Sequence, residues 1–147
     1  MNLLALDIAT TTGYACKYAS GTWDLSTKRD ESAGMKLIRF RAKLMEMHQA
    51  EPIEVCVWEK PAGQHKSAII HASRLVGVVM TFCEDHKIPW QEFSASDIKK
   101  HATGKGNANK EKMVKAAEIR FHPLEIVDDN HADALWLYDL ATKRLKI

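Results

Sequence analysis

Apolar and polar positions follow two rhythms along this chain, and the switches between them mark its elements. Leu3 to Ala9 is almost continuously apolar, the pattern of a central strand covered on both faces. Thr10-Thr11-Thr12-Gly13 then turns the chain. Tyr14 to Ala19 reads as a second strand, Ser20-Gly21 as a turn and Thr22 to Thr27 as a third strand, together an antiparallel meander. After the charged stretch Lys28 to Glu31, Leu37, Ile38, Leu44 and Met45 recur on one face at the helical period, and Glu51-Pro52 ends that helix. Ile53 to Trp58 predicts a fourth strand, ending at Glu59 and stopped by Pro61. Lys66 to His86 predicts a long helix with Ile69, Ala72, Val76, Met80 and Cys83 as its apolar stripe. Pro89 to Phe93 is a short fifth strand, and Ser94 to Asp97 has the cap and acid of a helix start. The loop Gly104-Lys105-Gly106-Asn107 separates that short helix from another over Ala108 to Phe121. Pro123 breaks the chain before a last helix from Asp128 or Asp129 to Arg144.

The order β-β-β-α-β-α-β-α-α-α predicts an α/β fold. Its five strands form one mixed sheet, first antiparallel and then parallel, with helices on both faces. The length of 147 residues fits a single domain over 1–147. With 46% hydrophobic and 27% charged residues the composition is that of a globular protein. No apolar run is expected to span a bilayer, and the N-terminal stretch meets Asp7 too early for a signal peptide. Cys16, Cys56 and Cys83 lie in apolar stretches without a C-x-x-C pair, which predicts buried, reduced thiols and a cytoplasmic location.

The net charge of +2 does not by itself indicate a nucleic-acid partner. Its distribution is more telling. Lys99, Lys100, Lys105, Lys110, Lys112 and Lys115 face only Glu111 in their stretch, a local basic patch suited to phosphate.

Three carboxylates stand where burial makes them costly. Asp7 interrupts the apolar first strand, and Glu59 ends the fourth. Asp133 shares a helical face with Leu137, Leu140 and Ala141, as does Asn130. If the fourth strand lies beside the first, Asp7 and Glu59 approach each other. Gathered acids repel unless a cation neutralises them. Mg²⁺, with Mn²⁺ as a substitute, prefers such oxygen donors. A pair of these ions suits hydrolysis of a phosphodiester by in-line water attack. The turn Gly104-Lys105-Gly106-Asn107 is expected to offer backbone N–H groups to a phosphate, with Lys99, Lys105 and Lys110 adding sequence-independent attraction to DNA.

The segment Leu6-Asp7-Ile8-Ala9-Thr10-Thr11-Thr12-Gly13-Tyr14-Ala15 resembles the first motif of the RuvC-type Holliday junction resolvases. Val57-Trp58-Glu59-Lys60-Pro61 resembles the second, Ile98 to Lys110 the basic stretch, and Asn130-His131-Ala132-Asp133-Ala134-Leu135 the closing motif. The resemblance implies the RNase H-like fold and a Mg²⁺-dependent endodeoxyribonuclease that cuts four-way or other branched DNA as a homodimer. It implies metal ligation by Asp7, Glu59 and Asp133, with Lys99 and Lys110 near the scissile phosphate and Lys110 counted among the catalytic groups. Where the family usually has an acid or histidine three residues before the last aspartate, this chain has Asn130. Its amide oxygen remains a metal ligand without charge, with Asp129 or His131 as alternatives. After the glutamate, Ala62-Gly63-Gln64-His65 offers no aromatic to stack on a junction base. The short chain and loose match fit a phage or plasmid version. Three rivals remain: a non-catalytic reader of branched DNA with the same fold, an ATP-binding domain of the actin and sugar-kinase type, and, within the nuclease class, an RNA–DNA hybrid hydrolase or transposase-like core. The second needs a partner domain for which this chain has no room.

Overall fold

The computed structural model describes residues 1–147. Five strands are present: β1 (Leu3–Asp7), β2 (Thr11–Ala15), β3 (Ser20–Asp24), β4 (Val55–Glu59) and β5 (Trp90–Phe93). They form one sheet in the order β3-β2-β1-β4-β5. β1 pairs antiparallel with β2 and parallel with β4, so the central strand is where the sheet changes sense. The helices are α1 (Gly34–Ala50), α2 (Lys66–Asp85), α3 (Ala95–Thr103), α4 (Lys110–Arg120) and α5 (Asp129–Arg144). The element order and mixed sheet are those the hydrophobic pattern predicts.

Alternation along the strands divides the core in two. Leu4, Leu6, Cys56 and Trp58 join Leu44, Leu75, Val79 and Phe82 under α1 and α2. Leu3, Ala5, Val55 and Val57 join Ile98, Met113, Leu137 and Leu140 under α3, α4 and α5. The continuous apolar run of β1 is thus explained by cover on both faces. By the same alternation Asp7 and Glu59 follow Ala5 and Val57 toward α5. Trp58 points to the opposite face, as its place beside Glu59 predicts.

Several boundaries differ from the expectation. β2 starts at Thr11 rather than Tyr14, because Thr12 closes the preceding turn with its side chain: Oγ1 donates to the Ala9 carbonyl at 2.5 Å and accepts from the Ala9 N–H at 3.4 Å. The hairpin turn lies at Cys16–Ala19, where the Cys16 N–H donates to the Ala19 carbonyl, so Ser20 and Gly21 belong to β3 and not to the turn. Ile38 is 62% exposed, and Phe40 and Leu44 make the buried face of α1. The buried stripe of α2 is Leu75, Val76, Val79, Phe82 and Cys83, while Ile69, Ala72 and Met80 are only partly covered. The reason is that only the C-terminal half of α2 reaches the sheet. Lys66 to Arg74 is mostly exposed. By length and apolar content α2 does reach the minimum for a bilayer-crossing helix, contrary to the expectation from the sequence. Its second half nonetheless forms the cover of the sheet.

Candidate active site

The site is built at the carboxyl ends of β1 and β4. The recorded parallel register runs Leu3–Val55 to Leu6–Trp58, and one further step brings Asp7 level with Glu59. Neighbouring strands lie about 4.8 Å apart, so the two carboxylates project from adjacent strand ends on one face. α5 supplies the third. Its N-terminus is fixed by Asp128, whose carboxylate accepts from the His131 N–H at 2.8 Å. It is also seated against Gly13, the residue paired with Asp7 across β2. A Cβ on Gly13 would lie 1.9 Å from the Asn130 carbonyl oxygen. The small residues Ala15 and Ala134 continue this close approach. Asp133, one turn into the helix, is thereby held over the strand ends.

The charges of these groups act on one another. Burial raises the Asp7 carboxyl well above its ordinary range, and Asp133, Glu59, Asp129 and Asp128 push it further. Asp133 is pushed up to about 7 by burial, Glu59 and Asp129, against the opposing pull of Lys99 and Lys110. Burial also raises Glu59, with Lys99 opposing. Glu59 lies between two cavities. One, of about 300 Å³, includes Asp7 and runs toward α2. The other, of about 460 Å³, includes Asp133, Lys99, Asn109 and Lys110. Glu59 thus shares one cavity with Asp7 and the other with Asp133. The three acids do not close into a ready-made cage: no three His, Cys, Asp or Glu side chains form a compact ligand set. Mutual repulsion of the carboxylates gives a physical reason for that separation. The donor chemistry fits Mg²⁺: hard carboxylate oxygens, carrying more negative charge than Lys99 and Lys110 offset.

The basic residues differ in their placement. Lys110 Nζ lies 3.6 Å from Asp129 Oδ2, at the mouth of the site. Lys99, on α3, borders the same cavity as Asp133. Lys105 is exposed on the outer loop and borders neither cavity. The expected cradle of loop N–H groups is not available as a set. Gly104 N–H donates to the Lys100 carbonyl, Lys105 N–H to Thr103 Oγ1 and Ala108 N–H to the Lys105 carbonyl. These bonds close the left-handed helix end at Gly104 and the turn after it.

Both ring nitrogens of His131 are engaged within the protein. Its Nδ1 accepts from the Val127 N–H at 3.1 Å, which leaves Nε2–H to donate to Ser20 Oγ at 2.9 Å. Burial lowers its proton affinity, in keeping with the neutral ring. Asp129, by contrast, acts on both Asp7 and Asp133.

Sequence reading missed a second polar cluster. His101 has Nε2 at 2.7 Å from Asp139 Oδ2. Arg120 Nη2 lies 3.2 Å from Oδ1 of the same carboxylate, and Lys143 Nζ lies 3.5 Å from its Oδ2. Asp139 thus ties α3 and α4, which carry Lys99 and Lys110, to the helix that carries Asp133. The signal was available as an acid inside the apolar run Trp136-Leu137-Tyr138-Asp139-Leu140-Ala141. Asp139→Ala is expected to destabilise the fold by about 1.5–3 kcal/mol, the worth of a charge-assisted hydrogen bond, because Arg120 and Lys143 can return to water and His101 cannot fully do so. Urea denaturation of the two proteins measures it.

A family model described as crossover junction endodeoxyribonuclease RuvC matches residues 8–137. A curated relative, the crossover junction endodeoxyribonuclease RuvC of Brachyspira hyodysenteriae, is 28% identical over 85 residues, or 58% of this chain. That stretch spans 52%, about half, of the relative's own length. Among solved structures, Thermus thermophilus RuvC matches with a TM-score of 0.76 at 18% identity, covering 99% of this chain and 97% of that one. T. thermophilus RuvC in complex with Holliday junction substrate matches with the same TM-score and identity over 93% and 90% of the two chains. At that level of identity the structural likeness shows a shared fold.

Proposed function

This chain belongs to the crossover junction endodeoxyribonuclease RuvC family, and on that premise we propose that it is a Mg²⁺-dependent endonuclease that cuts four-way or other branched DNA by phosphodiester hydrolysis. The observation that carries the reading is the placement of Asp7 and Glu59 on adjacent ends of β1 and β4, with Asp133 of α5 across a cavity it shares with Glu59. Three buried or half-buried acids with too little opposing charge are costly to the fold. Their retention together makes physical sense as a cation site.

In this reading Asp7, Glu59 and Asp133 hold the metal, and Asn130 completes the set with an uncharged amide oxygen. The bound metal supplies activation of water and stabilisation of the departing oxygen. Asp129 is better placed as the partner that holds Lys110 at the mouth. Lys110 then contacts a phosphate oxygen when the strand arrives, exchanging one anion for another. Lys99 restrains the negative charge of Glu59 and Asp133 from the α3 side. Lys105 contributes attraction from the outer loop. A homodimer places two such sites on the two strands that a symmetric junction presents.

The test is incubation with a labelled four-way junction, a linear duplex and an RNA–DNA hybrid, each with Mg²⁺, Mn²⁺ or chelator. The expected result is paired nicks near the crossover of the junction, only with metal. Tight junction binding with no cleavage in either metal supports the non-catalytic reader instead, and cleavage of the hybrid alone would make the protein a ribonuclease.

Lys110→Ala is expected to lower junction cleavage and to reduce the slope of log affinity against log salt by about 1, the loss of one phosphate contact. Filter binding across a salt series reads the slope. An unchanged slope removes Lys110 from the DNA interface.

A further inference from the structure

The cluster around the buried carboxylate of Asp139 has no part in the chemistry described above. Stability alone does not call for it, since a buried ion pair replaced whole by apolar side chains is often as stable or more so. What a charge-assisted hydrogen bond adds is geometric specificity. The elements joined here are ones whose orientation matters. α3 has nine residues, of which only Ile98 is buried, with Ala102 partly buried beside it. Apolar contact through two side chains leaves so short a helix free to roll about its axis. His101 removes that freedom from the α5 side. Its ring stands nearly perpendicular to that of Trp136, 5.9 Å away between centroids, and its Nε2–H donates to Asp139 Oδ2 at 2.7 Å. The carboxylate is itself held from both sides, by Lys143 at Oδ2 and by Arg120 of α4 at Oδ1. The other tie between α3 and α5, Arg144 to Asp97, is exposed on both sides and contributes little.

We propose that Asp139 and His101 are positioning residues for strand cleavage: their bond sets the roll of α3 on α5 and with it the place of the Lys99 ammonium group relative to Asp133. The proposal rests on the nuclease reading and assigns a role within it to two residues that the reading leaves idle. Lys99 lies two residues before His101, about 200° around the helix. With His101 and Ile98 turned toward α5, Lys99 and Ala95 border the cavity that also holds Glu59 and Asp133. α5 carries both ends of this arrangement. Asp133 and Asp139 are six residues apart on that one helix, about 9 Å along its axis. The acid and the anchor for the lysine's helix therefore belong to one rigid element, and the remaining freedom is the roll of α3. At a radius of about 6 Å, a roll of about 10° carries a side chain about 1 Å. A misplacement of about 1 Å can cost on the order of 100-fold in rate. The flexible four-carbon stem of a lysine recovers part of that loss.

The experiment is a double-mutant cycle between His101 and Lys99, read by single-turnover cleavage of a labelled four-way junction with Mg²⁺. His101→Leu keeps an apolar contact with Trp136 and removes the bond. It should slow cleavage by about tenfold, part of the loss for a full 1 Å displacement. Junction affinity, measured with Ca²⁺ in place of Mg²⁺, should stay within about twofold, the scatter expected of uncoupled sites. His101→Gln, whose amide N–H can reach Asp139, should restore most of the rate. Lys99→Ala should slow cleavage by itself, and in that background His101→Leu should slow it no further. Arg144→Ala breaks only the exposed tie and should cut as the unaltered protein does. Asp139→Asn keeps the shape of the anchor without its charge; it replaces His101→Leu in the cycle if that variant does not fold, with the same readings expected. A bond that only stabilises the fold lowers the melting temperature in both backgrounds, and its effect on cleavage then multiplies with that of Lys99→Ala. Losses that multiply overturn the proposal. So does a folded His101→Leu protein that cuts at the full rate, or a His101→Gln protein as slow as His101→Leu. In each of these cases the unaltered protein still cuts, and the nuclease reading stands. An unaltered protein that cuts no junction overturns that reading and this inference with it.

Discussion

Asp7→Asn is expected to remove strand cleavage while making the metal-free protein more stable. The two effects have one origin. Asp7 sits at the buried end of the central strand, where burial and the charges of Asp133, Glu59, Asp129 and Asp128 all oppose its ionisation. Neutral asparagine keeps the shape and removes the repulsion. Replacing an outer partner of a metal ligand typically costs about 10–100-fold in activity, and loss of a direct carboxylate should exceed about 100-fold. A gain of about 1–3 kcal/mol in metal-free stability at neutral pH is expected, the usual cost of one poorly satisfied buried polar group. Thermal denaturation with chelator measures the gain, and single-turnover cleavage of a junction measures the loss. A less stable Asp7→Asn protein would show that the carboxylate has a structural partner and is not held at a cost.

The same acids set the sign of the pH dependence. Asp133, pushed up to about 7 from an ordinary 3.8, stays protonated in the folded chain over a range where the unfolded chain has released its proton. Between those values the folded state binds more protons. Stability therefore rises as pH falls from about 7 toward about 4 and is lost as pH rises through 7. This is the reverse of the behaviour of a salt-bridged carboxylate. Asp139, held low by His101, Lys143 and Arg120 against the effect of burial, contributes in that ordinary sense, and its share is lost only at more acid pH. Mg²⁺ should flatten the slope due to Asp133 and raise the melting temperature at neutral pH, because a ligand that binds only the folded state stabilises it by mass action.

Gly13→Ala is the second large effect. The added Cβ would stand 1.9 Å from the Asn130 carbonyl oxygen and 2.5 Å from its carbon. Both are backbone atoms at the start of a sixteen-residue helix, so no flexible side-chain tip can yield. The helix must shift away from β2, at a cost of about 1–3 kcal/mol or more. Asp133 moves with it. A displacement of about 1 Å in a catalytic group can cost on the order of 100-fold in rate. The variant should fold, melt earlier, retain most of its junction affinity and cut far more slowly. Gly77→Ala is the control: nothing lies within 4 Å of that Cβ. In a helix the substitution should be neutral or stabilising by up to about 1 kcal/mol. Equal behaviour of the two variants would show that the contact at Gly13 does not set the helix position.

The order of elements, and the three acids whose burial is costly, were legible in the amino-acid pattern alone. A strand covered on both faces must be continuously apolar, so Asp7 inside Leu3 to Ala9 stood out without any coordinates. Glu59 did the same at the end of β4, and the period of α5 placed Asp133 on the face of Leu137 and Leu140. Those signals are local: they depend on side-chain period and on the cost of burying charge. Thr12, which moved the start of β2, was a weaker signal because its effect lies in one side-chain bond to Ala9.

Which residues lie against which became visible only once the elements were packed together. That α2 covers the sheet with its second half alone follows from where the sheet ends, and the exposed first half leaves the recess beside the acids. The pairing of Lys110 with Asp129, the use of both His131 nitrogens and the convergence on Asp139 each join residues from different elements. Gly13 looked like a turn residue in the sequence, yet its value lies in the helix backbone that rests on it. Local patterns report which side chains seek the interior. They do not carry the distances between elements, and those distances decide which charges feel one another.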